Sequence, residues 1–207
     1  MTPDSRRAGT GRIVVALGGN TLLGADTPWT MAEQRDAIDA TAATIVDAIE
    51  AGYEVVLTHG NGPQVGSLLL QQERVDETPQ LPLDVLVAET QAQIGYLLQQ
   101  ALDNRLSGGA DYLTIVTQVV VDPQDSAFDD PTKPVGPFYS EAEAATKPFE
   151  TRAVGTGDRP YRRVVPSPTP RAVVELDEIG RLLDTGTPVI AGGGGGVPVV
   201  RDDGLRG

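Results

Sequence analysis

The chain has 207 residues, enough for one large domain or two small ones, and 40% of them are apolar, enough to bury a sizeable core. Its 16 basic residues against 29 acidic ones give a net charge of −13 and a pI near 4.4. That balance argues against nucleic acid or an anionic membrane surface as partner, because phosphate binding needs a basic face. The absence of cysteine excludes a disulfide framework and a thiolate metal site. No run of 18 or more apolar residues signals a transmembrane helix. Met1 to Gly11 is polar, carries no hydrophobic segment of a secretory signal, and reads as a disordered tail. A soluble cytoplasmic protein is the expectation. Only Lys133 and Lys147 are lysines, and every other basic residue is arginine. Such a composition fits either salt adaptation or genome bias.

In chain order, Arg12 to Leu17 (RIVVAL) is a short apolar run ending at Gly18-Gly19-Asn20, the pattern of a buried strand and a glycine turn. Thr30 and Glu33 have capping-box spacing for a helix with Ile38, Ile45, Val46 and Ile49 on one face, closed by Gly52. Tyr53 to Thr58 is a second buried strand. It runs into His59-Gly60-Asn61-Gly62-Pro63, where the proline suits the first turn of a helix from about Pro63 to Val75. A third helix is expected over Leu83 to Leu106, with Leu86, Thr90, Ile94, Leu97 and Ala101 forming one stripe. The β-branched run Tyr112 to Val121 predicts one long strand. Alternating strands and helices signal a parallel sheet covered by helices.

From Asp122 to Pro170 the helical period disappears, and nine of the sixteen prolines fall there. A structureless loop of that length is improbable inside a compact domain. The segment is expected to form an inserted, protruding subdomain of hairpins and turns, at about 122–165. The βα rhythm resumes with a helix near Arg171 to Leu183 and a strand at Thr187 to Ala191. Gly192 to Gly196 follow, then an apolar stretch, Val197 to Val200. With no further helix after it, one sheet face is expected to be uncovered.

Three glycine loops, Gly18-Gly19-Asn20, Gly60-Asn61-Gly62 and Gly192 to Gly196, thus sit at carboxyl ends of predicted parallel strands, where open α/β sheets bind ligands. Glycine there lets backbone N–H groups approach an anion, and a helix N-terminus adds its dipole. One such loop is ordinarily just a turn; three in the same topological position point to an oxyanion or phosphate site. None has the spacing of a Walker A loop or a dinucleotide fingerprint. His59, the only histidine, is open to two readings. It can be an acid/base group, or its ring can pack and hydrogen-bond to shape the loop, the commoner case. Glu33, Glu89 and Asp122 read as caps or solvated surface.

VALGGN (Val15 to Asn20), THGNGPQVG (Thr58 to Gly66), DPTKPVGPFY (Asp130 to Tyr139), RRVVPSP (Arg162 to Pro168) and GGGGVPV (Gly193 to Val199) occur in this order. Together they resemble the carbamate kinases, a branch of the amino-acid kinase superfamily. The resemblance spans Arg12 to about Val200. The glycine loops are shared across the superfamily, whereas Asp130 to Tyr139 belongs to the subdomain that marks carbamate kinases.

The resemblance implies an amino-acid kinase domain over 12–207. Its fold is a three-layer αβα sandwich with a mainly parallel sheet plus the protruding subdomain, usually as a homodimer. The implied reaction is reversible phosphoryl transfer between carbamoyl phosphate and ADP, giving ATP and carbamate, in the arginine deiminase pathway. Carried over, Gly18, Gly19 and Asn20 contact the transferring phosphoryl group. Gly60, Asn61 and Gly62 hold the carbamoyl end, and Lys133 is the catalytic cation on the phosphoryl oxygens. Gly193, Gly194 and Gly195 line the nucleotide-phosphate side. Mg²⁺ arrives with ATP or ADP, and no protein metal site is implied. Ala16 stands where many amino-acid kinases carry a lysine, as is normal for this branch. Thr169 replaces a lysine usual in the family. Beyond the last glycine run the family continues into an aspartate-bearing segment and an adenine-binding half, so the C-terminal nucleotide-binding half is expected to be missing. Three readings stand: an active carbamate kinase, a non-catalytic fragment, or a small-anion-binding or dimerising module.

Overall fold

The structure, a computed structural model, describes residues 11–19, 22, 30–75, 77, 79–108 and 111–207. Asn20 therefore lies outside the described residues, as does most of the proposed tail. The chain divides into two compact units. The first is built from the described residues up to Gly60, with Gln91–Thr117 and Glu175–Gly195. The second comprises Asn61–Thr90, Gln118–Val174 and Gly196–Gly207.

The first unit is a parallel sheet between helices. Its strands are β1 (Arg12–Leu17), β2 (Glu54–His59), β3 (Leu113–Thr114) and β9 (Val189–Ile190), in the order β1-β2-β9-β3. All three pairings are parallel. Helix α1 (Met31–Glu50) starts as its sequence predicts. The Thr30 hydroxyl accepts the Glu33 N–H at 3.3 Å, and the Glu33 carboxylate accepts the Thr30 N–H at 2.6 Å. That reciprocal cap satisfies two of the helix's orphan donors. Gly52 closes the helix end at φ 95°, a left-handed conformation open to glycine without strain.

Helix α3 (Leu83–Asp103) contributes its Gln91–Asp103 part to this unit. One sheet face presents Val55, Leu57 and Ile190 to Ile38, Ala42 and Ile45 of α1 and to Ile94, Leu98 and Leu102 of α3. The alternate residues Val56, Val189 and Ala191 face Ile179, Leu182 and Leu183 of α5 (Leu176–Asp184) or its surroundings. This period of two is what a sheet buried on both sides requires. The unit is thus an αβα sandwich. On the α5 side the edge strand β1 is bare: Val14 is 67% exposed.

The second unit holds α2 (Gly62–Glu73), the first two turns of α3, and two small sheets. In one, β4 (Gln118–Val120) pairs in parallel with β10 (Val197–Arg201). It is flanked by antiparallel β8 (Ala172–Val173) and β11 (Leu205–Arg206). The other is antiparallel, with β5 (Lys133–Tyr139), β6 (Thr151–Ala153) and β7 (Tyr161–Val165) in the order β5-β7-β6. A short helix, α4 (Glu141–Ala144), opens with a second capping box from Ser140 and Glu143. Val65, Leu69 and Leu86 form this unit's own core, with Val135 of β5 packed against them.

Two sequence expectations change. Tyr112 to Val121 is two strands in two sheets. Ile115 still donates to the Ile190 carbonyl at 2.9 Å, but the Thr117 peptide is taken up by the Gln91 side chain, and β4 then pairs with β10. The helix expected from Arg171 begins only at Leu176, because Ala172 and Val173 pair with Val120 and Val119.

Within the first unit α3 lies so close to β3 that Gly95 has no room for a side chain. A Cβ there would sit 2.8 Å from Thr114 Cβ and closer still to its γ atoms. Gly95→Ala should therefore lower stability by about 1–3 kcal/mol through overpacking, although alanine is the better helix former. Urea unfolding would show it, and adding Thr114→Ala should restore most of the loss. A stabilised single variant would mean the two elements part easily.

Candidate functional site

Register alone aligns the three glycine loops. Leu17 pairs with His59 and Leu57 with Ile190. Gly18, Gly60 and Gly192 or Gly193 therefore leave adjacent strands at nearly one level, along the carboxyl edge of the first unit's sheet. The loops also touch. The Gly60 N–H donates to the Leu17 carbonyl at 2.8 Å, and a Cβ on Gly60 would lie 2.9 Å from the Gly19 nitrogen. Glycine at 60 is thus a packing requirement, since backbone cannot yield as a flexible side chain can.

His59 sits between the second and third loops. It is 3% exposed. Its Nδ1 donates to the Gly60 carbonyl at 3.1 Å. Its Cε1 and Nε2 lie against Gly193, where a Cβ would come within 2.7–2.8 Å of them. Burial pushes the imidazole pKa down, only partly opposed by the bond to Gly60, so the ring is neutral in the fold. The geometry is that of a residue shaping the loops.

Every glycine of the third loop has a backbone reason. Gly192, Gly194, Gly195 and Gly196 have φ of 69°, 64°, 88° and 89°, and Gly193 is packed on His59 and Gln91. Gly193–Gly195 forms a 3₁₀ turn, anchored where the Gly195 N–H donates to the Gly192 carbonyl at 3.0 Å. Only Gly193 interrupts this run of positive φ, and successive N–H groups in such glycine turns can form a concave cradle for anions.

In the second unit Asn61 is the N-cap residue of α2 but does not cap it. Its amide donates instead to the buried Thr90 hydroxyl at 2.9 Å. Among the described residues no side chain caps the amino terminus of α2, a helix end suited to an anion.

Lys133 lies at the same end of that helix. α2 runs alongside β5 in the same direction: Gly66 packs on Gly136, and the Tyr139 hydroxyl at the far end of β5 donates to Glu73 at the far end of α2. Counting back from the Gly66–Gly136 contact, Gly62 is about 6 Å up the helix and Lys133 about 10 Å up the strand. Lys133 also shares its strand face with Val135, which packs towards α2. It is exposed and forms no ion pair among the described residues, whereas Lys147 is held by Glu73 at 2.7 Å.

Of the other carboxylates singled out in the sequence, Glu33 is the cap of α1 and Glu89 is exposed. Asp122 accepts from the Gln124 N–H and pairs with Arg171. Thr169 is exposed, and its backbone N–H donates to Asp125 at 3.0 Å. Thr58, Gln91 and Thr117, which brace the third loop, went unrecognised in the sequence. Their only signal is polarity at a strand end or beside an apolar helical stripe.

The fold and loops agree with the comparisons. Residues 11–206 match the amino acid kinase family, and the chain belongs to that family. Similar proteins within it include carbamate kinases. That of Halobacterium salinarum is 55% identical over 197 residues, covering 94% of this chain and 63% of the relative. That of Pyrococcus furiosus is 48% identical, covering 93% and 64%. A solved structure, carbamate kinase from Giardia lamblia bound to AMP-PNP, superposes with a TM-score of 0.84 at 42% identity, covering 97% of this chain and 66% of that one. The chain spans slightly less than two thirds of the length of the curated relatives it matches. No helix among the described residues is long and apolar enough to cross a membrane.

The buried neutral His59 has a pH consequence. Its folded pKa is depressed, so the stability gained from keeping the ring neutral is present in full above the unfolded value of about 6.5 and is lost as pH falls below it towards the folded value. Urea midpoints should drop between pH 7.5 and pH 5.5, and less so in His59→Gln. Equal drops in both proteins would show that His59 does not carry this dependence.

Proposed function

We propose that this chain is a carbamate kinase, transferring a phosphoryl group reversibly between carbamoyl phosphate and ADP to give ATP and carbamate. The observation that carries the reading is an α2 amino terminus without a side-chain cap and a Lys133 without an ion pair, both among the described residues, at one end of the same helix–strand pair. In a chain of net charge −13, an exposed cation at the same end as a helix amino terminus fits an anionic ligand. The 55% identity to a carbamate kinase supports carbamoyl phosphate as that anion.

Phosphoryl transfer asks little covalent chemistry of the protein. It needs in-line positioning and stabilisation of charge on the equatorial oxygens. In the proposed roles, Gly18 and Gly19 present backbone N–H groups to the transferring group, with Asn20 beside them in sequence. Gly60, Asn61 and Gly62 hold the carbamoyl end. Lys133 neutralises phosphoryl charge as it develops, and Gly193, Gly194 and Gly195 face the nucleotide phosphates. The AMP-PNP complex of the Giardia lamblia relative supports nucleotide use. Among the described residues no group of three or more His, Asp or Glu is placed to hold a metal ion. Mg²⁺ enters the proposal as the nucleotide's own counter-ion, and no step is assigned to it. The reading extends to a homodimer, a place in arginine breakdown, and the cytoplasm, where ADP is available.

A coupled assay of ATP formation from carbamoyl phosphate and ADP tests the reading directly. Background activity from folded protein would overturn it. Carbamoyl phosphate binding in calorimetry without turnover would identify an anion-binding module instead. In an active chain, Lys133→Ala should lower kcat about a hundredfold or more, the scale of losing one transition-state charge stabiliser. A near-normal rate would remove Lys133 from the catalytic role.

A further inference from the structure

We propose that Thr117 and Gln91 are positioning residues for the glycine loop Gly192–Gly196, acting through a buried hydrogen-bond relay that ends on the loop's first peptide. The proposal rests on the reading above, in which this loop faces nucleotide phosphates.

The relay starts on α3. The Gln91 side-chain amide donates to the Thr117 carbonyl at 3.1 Å and accepts the Thr117 N–H at 2.8 Å. It takes the place of a neighbouring strand at the point where the chain has left the ladder at Ile115 and not yet joined the one at Gln118. Both residues are 1% exposed, so each group depends on the other for its partner. The Thr117 hydroxyl donates its proton to the Ile115 carbonyl at 3.1 Å. Its lone pairs then remain for the Gly192 N–H, which donates to it at 2.8 Å.

That bond falls where the β3–β9 ladder runs out. Ile115 still donates to the Ile190 carbonyl at 2.9 Å; at Gly192 the acceptor is the Thr117 side chain. The other side of Gly192 is fixed too, since its carbonyl accepts from the Thr58 hydroxyl at 3.0 Å and from the Gly195 N–H. The left-handed Gly192 is therefore gripped at both its N–H and its carbonyl, and the 3₁₀ turn hangs from it. A run of glycines would otherwise sample many backbone conformations, so a fixed cradle needs such an external clamp.

Thr117→Val keeps shape and burial while removing the acceptor. We expect amide exchange at Gly192 and Gly195, followed by NMR, to accelerate at least tenfold. ADP affinity by calorimetry should fall at least tenfold, with carbamoyl phosphate affinity kept within twofold. Thr117→Ser should return both towards wild type. Thr58→Val, which cuts the clamp on the carbonyl side at a position where a strand favours valine, should also loosen the loop and serves if Thr117→Val fails to fold. Unchanged exchange at Gly192 in whichever of the two variants folds would overturn the clamp. A loosened loop with unchanged ADP affinity would overturn the positioning role. A wild-type chain that binds no ADP would refute the nucleotide reading of the loop, while the exchange data would still decide the clamp.

Discussion

The closeness of backbone to backbone at the carboxyl edge of the parallel sheet is the constraint on which the site depends. Gly60 lies on Gly19 with no space for a methyl group, and Gly193 lies on the His59 ring in the same way. Neither approach survives a Cβ without movement of backbone or of a buried ring. The register of β1, β2 and β9 delivers the loops to one level. The imidazole, bonded to one loop and packed on the other, then sets how near they come. Because that ring is buried, it must be neutral, and a neutral ring with its proton on Nδ1 donates to the Gly60 carbonyl.

Much of this was legible in the sequence because it was local. The Thr30–Glu33 cap, Gly52 as a left-handed stop and the α3 stripe from Leu86 to Ala101 all follow from spacing, and the structure forms each as the spacing requires. The glycine loops were legible as candidates from their topological position. What was not legible depended on partners distant in the chain. The β propensity of Tyr112 to Val121 is continuous, yet the run is divided by a glutamine from α3 that takes the Thr117 peptide. Ala172 and Val173 had helical neighbours in sequence and became strand only because β4 offered an edge. His59 had two readings until burial and its contacts were known.

Two lysines occur in the chain, and the second unit uses them oppositely. Lys147 is half-sheltered with Glu73 and lies 4.4 Å from the centre of the Tyr139 ring. Tyr139 in turn donates to the same carboxylate, and burial together with that neighbour pushes its phenol pKa upward. This cluster joins the far end of α2 to the far end of β5. It holds helix and strand in a fixed alignment, and the strand's first residue is Lys133.

The alignment explains why one lysine is spent on structure and the other left exposed. An exposed cation among many carboxylates is pulled towards whichever is near, and such surface pairs form at little free-energy cost. Lys133 forms none among the described residues, although its strand begins three residues after Asp130, whose carboxylate is instead engaged by Arg152 at 2.6 Å. Arg152 is a better match for that carboxylate, since a guanidinium offers several donors in a planar fork. With the Asp130 carboxylate taken by Arg152, Lys133 stays an exposed cation at the end of β5 that lies alongside the amino terminus of α2.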